Sequence, residues 1–236
     1  MPGVTAAATA EPVTARVVAV RAADPTPAEA SRVHIVNHPA AQHALTVLCR
    51  RQTEAYEFRT TCNQLLVLLT LEAMRSLPTR EQEVETTRAP WLGVALAKPV
   101  VLLAVTRNSI GLSHNLMDCV AGLLVGSISL GQFAEGLPPL ARLHLASAPA
   151  LNGCRVILFD PVIKSGVSAE AALGLVRELG AADVSLVGFT ISSQALLRLQ
   201  ATVPTLSIWT AHVETDWDPA RSQSGMLGDF GTRLFA

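Results

Sequence analysis

From Val100 onward the chain alternates short apolar runs with longer mixed segments. Val100 to Val105 carries no polar side chain, and Arg155 to Phe159 and Val184 to Phe189 are nearly as apolar. Runs of this length without period-two alternation fit strands covered on both faces. Val125 to Leu130 and Leu206 to Trp209 extend the set. Between them, Ser109 to Leu124, Ser168 to Leu179 and the stretch from Ser192 or Ser193 to Ala201 read as helices, with Gly180 placed to end the second of them. Strands alternating with helices predict an α/β domain with a parallel sheet, whose ligands bind beyond the carboxyl ends of the strands. Gln132 to Pro149 is rich in Pro and Ala without periodicity and predicts a flexible hairpin.

The N-terminal part is different in texture. Proline suits a first helical turn, so His38-Pro39 opens a helix that runs through Leu45, Val47 and Leu48 and ends near Arg50-Arg51. Thr53 is placed to cap a second, longer helix, with Glu54 and Glu57 in its first turn. Its later part, Leu65 to Leu71, is apolar on all sides, which predicts burial in the core or against a second subunit. Residues 1–30 are Ala-, Pro- and Thr-rich and are expected to form a mobile lead before a single domain over 31–236.

Composition narrows the function. Half of the 236 residues are hydrophobic and 16% are charged, enough apolar material for a sizeable core. Lys plus Arg is 18 against 19 for Asp plus Glu, so no strongly basic face for nucleic acid is expected. The longest apolar stretch, Val94 to Val105, is broken by Lys98-Pro99, short of the roughly 18–20 residues of a membrane span. The lead lacks the continuous apolar segment of a secretory signal. Cys49, Cys62, Cys119 and Cys154 form no CxxC pair, and no His cluster completes a zinc pattern, so no protein-built metal site is expected. Four widely spaced thiols fit a reducing, cytoplasmic setting.

The sharpest local feature is Asp160-Pro161-Val162-Ile163-Lys164-Ser165-Gly166-Val167-Ser168. It leaves a buried strand, makes a small-residue loop and enters a helix. Free backbone N–H groups and the positive end of a helix dipole meet there, which suits a phosphate. A plain strand-to-helix turn capped by Ser168 explains the pattern equally well.

At these residues the chain resembles the uracil phosphoribosyltransferase family, whose ribose-phosphate loop reads Asp-Pro followed by Thr-Gly-Gly-Ser. Other stretches agree in order: Val33 to Pro39, Gln42-His43, Leu45-Thr46, Glu57-Phe58-Arg59, Glu72 to Arg75, and Gly228-Asp229-Phe230-Gly231 with Arg233-Leu234-Phe235. The resemblance runs from about Arg32 to the C-terminus. It implies a type I phosphoribosyltransferase fold, a homodimer, and a reaction in which uracil N1 attacks the anomeric carbon of 5-phosphoribosyl pyrophosphate and releases pyrophosphate with magnesium assistance. The protein's task is then to hold an anionic donor and stabilise a cationic ribose.

The departures fall where that task is done. Val167 replaces the loop's second glycine, and a β-branched residue resists positive φ. Lys164 stands where the family has a small residue. Val105 to Ser109 resembles the pyrophosphate loop but has Asn108-Ser109 for Ala-Gly after Arg107. The hairpin lacks the family's Tyr-Arg pair and later lysine. Arg221 to Met226 occupies the uracil-contact segment, and Thr232 stands at the second acid of the final run. The candidate catalytic groups are Asp160, Lys164 and Asp229. The candidate substrate contacts are Arg107, Ser109, His114, Ser165, Gly166, Val167, Ser168, Met226 and Gly228. Three readings follow. The first is a repurposed enzyme for a polar or anionic small molecule, with weak or no uracil transfer, for example in specialised biosynthesis. The second is an active transferase joining uracil or a related base to 5-phosphoribosyl pyrophosphate, with Mg2+ accompanying the donor. The third is a non-catalytic binding dimer, against which the retained Asp160, Ser165 and Asp229 argue.

Overall fold

The computed structural model describes residues 32–131, 141–145, 151–181, 183–218 and 225–236. Strand β1 (Val33–Ile35) leads into helix α1 (Pro39–Cys49) and helix α2 (Ala55–Met74). A ribbon of β2 (Thr79–Glu85) and β3 (Pro90–Leu96) follows, then β4 (Val100–Ala104), α3 (Arg107–Ser113), α4 (Asn115–Cys119), β5 (Leu123–Leu130) and β6 (Ala141–His144). The chain continues through β7 (Arg155–Phe159), β8 (Val162–Ile163), α5 (Val167–Glu178), β9 (Asp183–Ser192), α6 (Ser193–Thr202), β10 (Ser207–Glu214) and α7 (Phe230–Phe235).

The main sheet has the order β1-β10-β9-β7-β4-β5-β6, with β8 against β9. All its pairings are parallel except β5 with β6. The expected parallel α/β core and helical N-terminal part are both present. Alternate residues of β4 explain why the run is wholly apolar. Val100 and Leu102 join one core with α1, α2 and α7, while Val101 and Leu103 join the other with α5 and α6. The first core is keyed by Phe58, Phe159, Phe189 and Phe230, whose rings meet in edge and tilted contacts. Each such ring removes a large apolar area from water and adds directional contacts.

Several expectations need correction. The helix expected over Ser109 to Leu124 is two short helices, and Leu123 already starts β5. Thr53 does not cap α2. Its hydroxyl donates to the Val47 carbonyl at 2.6 Å, and Glu54 occupies the cap position without a side-chain bond. Leu65, Leu66 and Leu69 are buried within the chain's own core, and Val67 and Leu68 pack partly against it, leaving Leu71 half exposed. The apolar helix therefore needs no second subunit to cover most of it. The β2–β3 ribbon was not anticipated. Most of the expected hairpin, the N-terminal lead and part of the Arg221 to Met226 segment lie outside the described residues. No described helix is long and apolar enough to cross a membrane.

Candidate active site

Strand β4 proceeds to β5 on one side, and β7 pairs on its other side. Such a reversal opens a crevice beyond the strand ends. Two segments enter it. Thr106 follows β4, and Asp160 follows β7, their strands held in register with Ala104 opposite Phe159. The Thr106 hydroxyl donates to Asp160 Oδ1 at 3.1 Å. Thr106 also heads α3 in a reciprocal capping box with Ser109.

Asp160 is 7% exposed, and burial pushes its carboxyl up to about 7, opposed by the Thr106 hydroxyl, the Val162 amide and the Lys164 charge. After Pro161 the loop is tied to its neighbours. Val162 and Ile163 pair with Thr190 and Ile191. The Ser192 hydroxyl donates to the Lys164 carbonyl and accepts the Ala195 N–H, so one side chain caps α6 and holds the loop. Gly166 turns the chain into α5 with φ of 76°, and an added Cβ would sit 3.3 Å from Cα of Ala195. Only glycine meets both demands cheaply. The first bond of α5 runs from Glu170 N–H to Gly166 O, so the Ser168 and Ala169 amides precede the helical ladder.

The opposite wall comes from the C-terminal segment. The Asp229 carboxylate accepts the Thr232 N–H at 3.0 Å and caps α7, and these bonds, with a smaller part from Lys164, hold its carboxyl below the usual range. Lys164 thus acts electrostatically on both Asp160 and Asp229. The segment is anchored from behind. Met226 N–H donates to Glu214 at 3.1 Å, Arg233 donates to the carbonyls of Leu48, Arg50 and Leu227, and its guanidinium lies 4.2 Å from the Phe58 ring centroid.

Together these pieces enclose a predominantly polar pocket of about 260 Å³, lined by Thr106, Asn108, Asp160, Lys164, Ser165, Gly166, Ser168 and Asp229 among others. Of the candidate residues, Asp160, Lys164, Asp229, Ser165, Gly166 and Ser168 come together here. The rest do not. Ser109 is fully buried, its hydroxyl spent on the capping box. Arg107 is exposed at the start of α3 and does not line the pocket. His114 faces a different cavity, with His144 and Ser127 between α3 and the β5–β6 pair. Val167 lies outside the pocket at the first helical position. Among the described residues no residue other than glycine has positive φ, so Val167 does not carry the strain expected of it. Met226 and Gly228 belong to the turn closed by Gly228 N–H to Gly225 O, next to the lining rather than part of it. Thr106, Asn108, Phe230 and Gly231 line the pocket although none was among the candidate contacts. The Thr-x-x-Ser spacing of the capping box was the available signal for Thr106.

Residues 35–236 match the family model described as uracil phosphoribosyltransferase. Curated relatives include the uracil phosphoribosyltransferases of Streptococcus mutans, 29% identical over 86% of this chain and 98% of that protein, and of Fervidobacterium nodosum, 27% identical over the same shares. A solved protein of Aquifex aeolicus superposes with a TM-score of 0.73 at 22% identity, over 86% of this chain and 97% of that one, a likeness of fold. A family model matching more than four-fifths of the sequence, on a parallel sheet with the pocket at its switch point, shows that the chain belongs to the uracil phosphoribosyltransferase family.

Proposed function

We propose that this protein transfers the phosphoribosyl group of 5-phosphoribosyl pyrophosphate to a ring nitrogen of uracil or a related base. The observation that carries this reading is the single pocket in which Lys164, Ser165 and the first amides of α5 meet two carboxylates, Asp160 and Asp229. The 5-phosphate suits the Ser165 hydroxyl and the amides of Ser168 and Ala169, where the helix dipole favours an anion. Asp160, oriented by Thr106, accepts from the ribose hydroxyls and offsets positive charge that develops on the sugar as the anomeric C–O bond breaks. Pyrophosphate leaves with the bonding electron pair, the base nitrogen forms the new bond, and its proton passes to solvent. Lys164 steadies phosphate charge as a compact cation.

Among the described residues no three His, Cys, Asp or Glu side chains gather to form a metal cage. Two carboxylates at a phosphate pocket do fit magnesium, which is commonly held by one or two carboxylates together with substrate phosphates and water. Asp160 and Asp229 are the residues that would hold it. When bound, it neutralises charge on the pyrophosphate.

A second reading, a pocket repurposed for another polar or anionic molecule, is favoured by one feature. The Asn108 carboxamide stands 3.3 Å from where a Cβ on Gly231 would lie, occupying space that a family alanine leaves open. We also infer a single domain over 31–236, acting in the cytoplasm. We infer a homodimer joined through apolar surface such as Trp91, Leu92 and Val94, which β3 leaves exposed.

The test pairs calorimetry of 5-phosphoribosyl pyrophosphate with a pyrophosphate-release assay over uracil and other pyrimidines. Donor binding with turnover of one base is the expected result. Donor binding without any turnover favours the repurposed pocket, and no donor binding overturns the proposal.

A further inference from the structure

The opposite edge of the sheet carries a second built pocket. Strands β7, β9 and β10 begin there, at Arg155, Asp183 and Ser207. The strands are parallel, so this edge lies a full strand length from Asp160, roughly 16 Å at about 3.3 Å per residue. A polar cavity of about 260 Å³ is lined there by Arg32, Arg177, Asp183, Thr205 and Ser207, with a few apolar neighbours.

Its charge is unbalanced. Arg155 forms an ion pair with Asp183, which spends the cluster's carboxylate. Arg32 is fixed by donating to the Thr205 carbonyl at 2.7 Å, a bond to a neutral group, and takes part in no ion pair among the described residues. Arg177 takes part in none of the ion pairs among the described residues. Arg155 does not line the cavity itself but holds the lining carboxylate of Asp183, and its buried Nε has no hydrogen-bond partner among the described residues. Among the described residues, Arg155 offsets Asp183, and Arg32 and Arg177 are left as two positive charges at the cavity. Guanidinium forks match the oxygens of a tetrahedral oxyanion, and such bonds are about twice as strong as neutral ones. Thr205 and Ser207 add short polar groups at the same rim.

We propose that this cavity is a second anion site, separate from the active-site pocket, which takes a phosphate group between Arg32 and Arg177. The cavity is small, about 260 Å³, so the ligand is a single phosphate or a small phosphate monoester. Burial already holds the Arg155 guanidinium below its ordinary value, and an anion nearby would relieve that cost.

Calorimetry with inorganic phosphate tests it. Phosphate also enters the pocket at Lys164, so the titration is run on wild type, on Lys164→Ala, and on the double variant Arg32→Gln/Arg177→Gln. The expected result is a binding event that survives in Lys164→Ala and weakens at least tenfold in the double variant. Asp183→Asn, which removes the opposing carboxylate, is expected to tighten the same event several-fold. An unchanged titration in the double variant overturns the site, and so does weaker or unchanged binding in Asp183→Asn. Ribose 5-phosphate, titrated into Lys164→Ala, separates the two sources. Binding at the arginine site identifies a monoester ligand, and binding of inorganic phosphate alone identifies the free ion, each supporting the site. Failure of phosphoribosyl transfer leaves these outcomes unaffected, because neither arginine lines the active-site pocket.

Discussion

The Thr106 hydroxyl donates to Asp160 Oδ1 at 3.1 Å, linking the ends of two neighbouring parallel strands across the crevice where their order reverses. The same hydroxyl belongs to the capping box of α3, so the residue that starts that helix also orients the buried carboxylate.

Asp160 is expected to trade stability for function. Its carboxyl is raised to about 7 by burial, so the neutral form is favoured in the fold. A raised carboxyl contributes its full stability below the unfolded value near 4, and that contribution is lost as pH rises through about 7. Asp160→Asn removes the titration. Its melting temperature should gain on wild type progressively from pH 4 to pH 7 and hold that gain at pH 8, a difference on the order of a few kcal/mol. Transfer activity should fall at least a hundredfold. Equal pH profiles of stability in the two proteins would contradict the buried-charge account.

Wild-type donor binding in the presence of magnesium should strengthen as pH rises through about 7, since the ionised Asp160 accepts more strongly from ribose hydroxyls and carries the charge that attracts a cation. Calorimetry at pH 6 and pH 8, repeated on Asp160→Asn, is the check. The pH dependence should flatten in the variant.

Lys164→Ala is expected to weaken binding of 5-phosphoribosyl pyrophosphate by about 1–3 kcal/mol, as for a lost charged hydrogen bond. Its melting temperature should shift little, because the loop is held by the backbone, through the Lys164 carbonyl that accepts from Ser192 and the pairing of Val162 and Ile163 with β9. Normal binding and turnover with the alanine would make the loop an inherited turn.

Gly166→Ala should destabilise the protein by about 1–3 kcal/mol, from an unfavourable left-handed backbone and a crowded approach to Ala195. Donor affinity should fall with it. Differential scanning calorimetry and the binding assay measure the two effects separately.

Val167→Gly supplies the contrast. Val167 has no positive φ and does not line the pocket, so restoring the family's glycine should leave donor affinity within about twofold. It should cost up to about 1 kcal/mol through the poorer helix propensity of glycine. A large gain in donor binding would show that Val167 does obstruct the site.

Much of the core is legible in the sequence, because burial on both faces leaves a mark on every residue of a strand. Val100 to Ala104 and Arg155 to Phe159 pair along their whole lengths, and their apolar runs already set them out as central strands. The loop from Asp160 to Ser168 is legible for a related reason: a strand end, small residues and a helix start follow one another directly in the chain. The β2–β3 ribbon leaves no such mark. Thr79 to Glu85 is almost wholly exposed and polar, and its partner Pro90 to Leu96 shows no clean alternation, so only the pairing itself makes either a strand. The site's membership is likewise a tertiary matter. Ser109 and His114 sit beside the crevice in sequence, yet the capping box turns one inward and α3 carries the other to a different cavity. Thr106 and Asp229 are far from Asp160 along the chain, and the strand register and the Arg233 and Glu214 anchors bring them to one pocket. The sequence alone determined which strands are central and where a phosphate loop lies, since those depend on neighbours in the chain. Which side chains face that loop depends on how helices cap and where distant segments are tied down, and only the folded chain decided it.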